Sequence, residues 1–268
     1  MSAARHRRLG ASVQALVRWG IPIAAVIAWQ AAGHSSHAGG VPTPLQIARA
    51  FRQLAASGEL ARHGWISLER ALIGLALGGG IGLLLGLANG YWRLAEELLD
   101  TPIQMMRNVP HLALVPLLIL WLGLGEAPKV LLVALGVMFP MYVNTFHGVR
   151  SVDPGLLEMG RLYGLGSAAL FRQIVWPGAL PSILVGLRYS LGVMWLSLIV
   201  AETVATDAGI GYLAMNAREF MQTDVVVLSI LVYAALGKLA DVVARVLERR
   251  WLAWSPSVTA RRTTEVPA

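Results

Sequence analysis

Charged and polar side chains inside apolar runs are where this chain could do chemistry. The chemistry they suit is guiding a charged solute. A charge at the centre of a bilayer costs about 2.5–3.5 kcal/mol on insertion scales, so each one needs a reason. Arg188 is the sharpest case, lying well inside a long apolar run with no opposite charge at helical spacing. A guanidinium there offers several N–H donors to an anion; pairing with an acid on another helix is the competing explanation. Asn108 and His111 share one proline-rich apolar element with Arg107 and are the other pathway candidates. Arg70 and Arg107 fall within a turn or two of the ends of their runs, where long side chains reach water. Lys238 and Asp241 stand three apart and can neutralise each other on one helix. Glu202 is placed near the outer end of its run.

Bond-making chemistry is not encoded in this pattern. There is no G-x-x-x-x-G-K-[ST] phosphate loop, since Gly237-Lys238 is followed by leucine within an apolar run. If ATP drives this protein, another chain binds it. His34, His37, His63, His111 and His147 are scattered without metal-ligand spacing. Cysteine is absent, so thiol and disulfide chemistry are excluded. No catalytic residue, cofactor or metal is expected. Gly74, Gly78, Gly82, Gly86 and Gly90 recur every four residues, which puts a smooth groove on one helix face for a neighbouring backbone.

The elements that must carry these residues are membrane helices. Of 268 residues 56% are hydrophobic and 14% charged, too apolar for an ordinary soluble domain. An all-α polytopic membrane protein is expected, with spans over 16–33, 65–89, 102–124, 128–149, 179–204 and 224–248. The first run lacks a convincing cleavage site and is read as a retained span. Residues 91–101 read as a polar turn and 205–223 as a polar stretch. Pro44 to Ala56 has helical apolar spacing, for a short helix at the membrane surface or against other spans. The organisation expected is a basic start, first span and linker over 1–64, a transmembrane domain over 65–250, and a tail over 251–268. The net charge of +7 is explained by orientation rather than nucleic acid. With an even number of spans both termini share one side. That side also collects Arg5, Arg7, Arg8, Arg93, Arg150, Arg161, Arg172, Arg245, Arg249 and Arg250, and is expected to be cytoplasmic.

The longest polar interval of the second half, Arg150 to Pro177, lies on that same side. Asp153-Pro154 is an N-cap followed by proline at the first helical position. A helix is expected to run to Tyr163 and stop at Gly164 and Gly166. Ser167 would cap a second short helix ended by Pro177 and Gly178. An apolar face of Leu156, Met159, Tyr163, Leu170, Phe171 and Ile174 would project from the membrane and need a partner.

The spacing of Glu158, Gly164, Ile174 and Pro177 resembles the EAA loop of permease subunits of bacterial ATP-binding-cassette importers. Met159-Gly160 stand where two alanines are common, and Trp176 where leucine is common. The runs starting at Arg107, Gly178 and Gly209 resemble the nitrate, taurine and aliphatic-sulfonate branch of that family, its aliphatic-sulfonate members most of all. The resemblance implies a type I importer transmembrane domain in the bacterial cytoplasmic membrane. It implies a homodimeric pore, two cytoplasmic ATP-binding subunits and a periplasmic or lipid-anchored substrate-binding protein. The partners would thus be protein and membrane lipid, with no nucleic acid. It makes Glu158, Gly164, Leu165, Phe171, Ile174 and Pro177 the residues that couple the pore to the ATPase. It makes the solute a small anion, an aliphatic sulfonate first, with taurine or nitrate as alternatives. A secondary transporter would show an internal repeat, and a channel a filter-like run; neither is evident.

Overall fold

The computed structural model describes residues 20–31, 41–204 and 206–254, and among these the regular elements are all helical. The basic leader and most of the tail lie outside the described residues. Two compact units are present, residues 1–61 with 213–231 and residues 62–212 with 232–268.

In the first unit, α1 (Gly20–Ala31) is the described part of the first expected span. α2 (Pro44–Ala56) starts at a capping box: Gln46 N–H donates to Thr43 Oγ1 at 3.3 Å and Thr43 N–H to Gln46 Oε1 at 2.7 Å.

The second unit holds most of the membrane-crossing helices. α3 (Glu59–Tyr91) enters from the first unit and is longer at both ends than the apolar run. Residues 91–101 are not a turn. They begin α4 (Arg93–Arg107), an amphipathic helix whose exposed Arg93 and Glu97 pair at i,i+4. The third expected span is therefore broken. α4 stops before Pro110, His111–Leu114 form a tight 3₁₀ turn, and α5 (Val115–Leu122) leaves at 78° to α4. Pro110 supplies no N–H donor and disfavours helix at the residue before it, whereas Pro116 sits in the first turn of α5, where it is tolerated.

α6 (Glu126–Arg150) follows, then α7 (Pro154–Leu162), α8 (Ser167–Thr203), α9 (Ile210–Glu219) and α10 (Thr223–Trp251). α9, most of which belongs to the first unit together with the start of α10, occupies much of the stretch read as polar. Among the described residues α3, α6, α8 and α10 are each long and apolar enough to cross a membrane, and the bent α4–α5 pair has the length and composition of a broken span or a re-entrant loop. α6 and α8 pack along their lengths. The glycine groove on α3 receives α6, as the four-residue spacing predicts. A Cβ on Gly74 would lie 2.5 Å from Val133 Cγ1, one on Gly86 2.6 Å from Thr145 Cβ, and one on Gly90 2.6 Å from Val149 Cβ. Gly78 and Gly82 abut the carbonyl oxygens of Ala134 and Met138 directly.

Candidate functional site

The elbow between α6 and α8 is built by local sequence. Asp153 Oδ1 accepts from Gly155 N–H at 2.8 Å, and Pro154 opens α7. At the other end Gly164 adopts φ +80°; its N–H reaches Arg161 O at 2.9 Å, and Leu165 N–H reaches Gly160 O at 3.0 Å. This is a Schellman stop, and the positive φ is what requires glycine. Glu158 is exposed and Leu165 half-buried.

The second half of the elbow differs from expectation. Pro177 and Gly178 do not end a short helix. Ser167–Leu170 passes through a π-helical turn, Phe171–Val175, and continues without interruption to Thr203. Trp176 N–H bonds to Phe171 O, and the widened turn takes in the proline, which has no N–H to place. The apolar face splits in consequence. Leu170 is buried, Phe171 and Ile174 are half-buried, and Phe171 meets Tyr91 edge-on at 5.4 Å. Leu156, Met159 and Tyr163 stay exposed, and so does Leu162, which the sequence reading missed, at 88%. Gly160, a departure from the alanine pair, lets α8 close on α7: a Cβ there would lie 2.6 Å from Leu170 Cδ2 and 2.8 Å from Ile174 Cδ1. The elbow is braced by an Arg150–Glu96 ion pair and by Tyr91 Oη, which donates to Ser167 O at 3.2 Å.

At the opposite ends of α6 and α8 lies a network that sequence reasoning missed. Arg70 does not snorkel; it is 3% exposed. Its Nε and Nη2 hold Glu126 at 2.5 and 2.6 Å, and its Nη1 donates to Glu202 Oε1 at 2.8 Å and Ala208 O at 2.6 Å. Glu202, expected near a span end, is fully buried. It also accepts from Tyr233 Oη at 2.7 Å and Gly211 N–H at 3.0 Å, with Ser67 Oγ 2.8 Å from both its oxygens. Lys129 reaches Glu126 at 3.1 Å, so two cations balance two carboxylates. His63 and Ser67 receive the N–H groups of Gly209 and Ile210. A Cβ on Gly211 would lie 2.5 Å from Glu202 Cβ, which accounts for a glycine beside the acid. The available signal was an acid and an arginine in different apolar runs, each needing a partner.

The pathway candidates do not share one lining. Arg188 pairs with Asp241 of α10, through Nε at 3.1 Å and Nη2 at 3.0 Å. His111 Nε2 lies 2.9 Å from Ser197 Oγ. Arg188 and Ser197 are nine residues apart on α8, hence on opposite faces. Asn108 is the exposed C-cap of α4 at the break. Lys238 does approach Asp241, at 3.5 Å, as its spacing suggests.

Residues 78–253 match the family described as binding-protein-dependent transport system inner membrane component. The chain is 56% identical over 248 residues to the putative aliphatic sulfonates transport permease protein SsuC of Escherichia coli (strain K12), covering 92% of this chain and 94% of that protein. It is 44% identical to the protein of the same name from Bacillus subtilis (strain 168), covering 88% and 87%. The taurine transport system permease protein TauC of Escherichia coli (strain K12) is 34% identical, covering 81% of each. Among solved structures, an amino acid ABC transporter crystallised with histidines gives a TM-score of 0.62 at 17% identity, covering 75% of this chain and 97% of that one. That likeness is one of fold.

Proposed function

The chain belongs to the family of binding-protein-dependent transport system inner membrane components, and from that premise we propose that it is the pore subunit of an ATP-driven importer of aliphatic sulfonates. Its relatives are named as transport permeases, and the substrate class is taken from two of them, 56% and 44% identical to it. Hydrolysis falls to separate ATP-binding subunits, two per assembly, facing a pore made by two copies of this chain. A substrate-binding protein delivers the anion on the opposite side. The elbow side, with both termini, is cytoplasmic.

The observation that carries the coupling role is the exposed apolar surface on α7. Leu156, Met159, Leu162 and Tyr163 stand out from a helix that is capped at both ends and braced against the spans. Such a surface on a rigid projection fits a cleft on another protein. In this reading Leu156, Met159, Leu162 and Tyr163 make the contact, and Glu158 meets a basic group on the ATPase. Gly164 and Leu165 set the angle of α7, and Phe171, Ile174 and Pro177 transmit its movement directly into α8. Arg188 lines the anion route. Asn108 and His111 supply polar groups at the helix break, where freed backbone carbonyls need partners.

Two measurements test this. The permease is expected to co-purify with an ATPase carrying a phosphate loop, and Leu162→Asp to abolish that association while the variant still inserts. In uptake assays with the intact transporter, unlabelled alkanesulfonates are expected to compete more strongly than taurine or nitrate. Equal competition by all three would remove the sulfonate assignment.

A further inference from the structure

The two arginine–carboxylate clusters of the second unit are built differently. Around Arg70 the charges balance and Glu202 is sealed. Around Asp241 they do not. Its Oδ1 takes both bonds from Arg188, and its Oδ2 takes Arg245 Nη2 at 2.9 Å and Lys238 Nζ at 3.5 Å. Three cations thus share one carboxylate. All three are partly exposed, their side chains at 45% for Arg188, 67% for Lys238 and 38% for Arg245.

The cluster borders a cavity of about 570 Å³, whose lining includes Arg188, Tyr189, Gly192, Gly237, Asp241 and Glu248. Neither Gly192 nor Gly237 has a neighbour within 4 Å of where a Cβ would be, so the wall is open there. Arg188 lies twelve residues into the 28-residue segment Trp176–Thr203, close to mid-span. Glu248, seven residues beyond Asp241 on α10, lies about 10 Å further toward the elbow end.

We propose that Arg188, Lys238 and Arg245 form an anion-holding site whose resident occupant is Asp241, and that a passing sulfonate is held by taking its place. This rests on the import reading above. The surplus of two positive charges attracts an anion at membrane depth, where few other groups can. The guanidinium N–H groups suit sulfonate oxygens. Asp241 competes for the same donors and keeps the hold weak, so the anion leaves again. Glu248, a second carboxylate in the same lining, offsets part of the positive surplus and weakens the hold further.

The test uses the assembled complex of permease, ATPase and binding protein in nanodiscs and proteoliposomes. Labelled methanesulfonate retention is measured by equilibrium dialysis of the permease–ATPase complex without binding protein, alongside uptake and ATP hydrolysis with it. Asp241→Asn removes the resident competitor. It is expected to raise retention about fivefold and to slow uptake. Stimulation of ATP hydrolysis by the binding protein should persist. Adding Arg188→Gln should return retention to the original level without restoring uptake. Lys238→Gln, at the most exposed cation, gives a milder version of the same loss.

Unchanged retention in Asp241→Asn overturns the proposal, as does equal retention of the neutral analogue dimethyl sulfone. Restored uptake in the Arg188→Gln, Asp241→Asn double variant would show a purely structural pair. Failure of the unaltered complex to import sulfonates would count against the import reading instead, and the dialysis result would still decide the site.

Discussion

The two ends of the α6–α8 pair treat their side chains in opposite ways. At one end an apolar helix, α7, is left uncovered. At the other Arg70, Lys129 and Glu202 are buried, Glu126 is exposed, and every carboxylate oxygen has a partner. Uncovered apolar surface is a cost that only a partner removes. A fully partnered buried ion pair resists rearrangement, because removing either member strands the other. In the coupling reading proposed above, the comparison teaches where motion would enter: at the elbow end, while the paired Arg70 end holds together. α8 joins the two without a break, from Ser167 to Thr203, so a push on the elbow reaches the far end through one rigid element.

The largest effect should come from breaking the closed end. Glu202→Ala leaves Tyr233 and the Gly211 N–H without their acceptor, takes from Arg70 its buried carboxylate, and is expected to cost about 3–5 kcal/mol. Thermal unfolding of the detergent-purified protein should show it, and a change within experimental error would mean the network does not hold that end. Next comes Gly78→Val, which drives a branched side chain into the Ala134 backbone of α6. Overpacking of this kind costs about 1–3 kcal/mol, and reduced yield of folded protein in the membrane fraction is the readout. Gly192→Val on the same scale is expected to be harmless to folding, since a Cβ there has no neighbour.

The open end should respond in function more than in stability. Gly164→Asp forces a non-glycine residue into φ +80° and shifts α7, at a cost of about 1–2 kcal/mol. Membrane insertion should be normal while ATP hydrolysis is uncoupled from uptake; full uptake by this variant would count against the elbow as coupling element. Smallest of all is Arg93→Ala. Its pair with Glu97 is exposed and worth about 0.3–0.5 kcal/mol, so neither stability nor uptake should move measurably.

How far the sequence could be read follows the same division. Elements fixed by local rules were legible: the Asp153-Pro154 start of α7, its stop at Gly164, and the glycine groove that takes α6. The first two depend on residues within a turn or two, and the third on a four-residue repeat along one helix. The break at Pro110 was foreshadowed by the proline-rich element, yet prolines alone do not set its 78° bend. Pro177 misled because proline usually punctuates helices, and here a π turn takes it in. The Arg70–Glu202 pair spans 132 positions, and no local spacing reports a partner that far away. Arg188 shows the same limit, since its acid lies on α10.

The central claim is that α7 faces the cytoplasm and seats on an ATPase. The chain has no cysteine, so a single Leu162→Cys is a clean probe. In intact cells it should be silent to a membrane-impermeant maleimide. In inverted vesicles it should react, and reaction should fall when the ATPase is bound. Labelling of Leu162→Cys from outside intact cells would contradict the account.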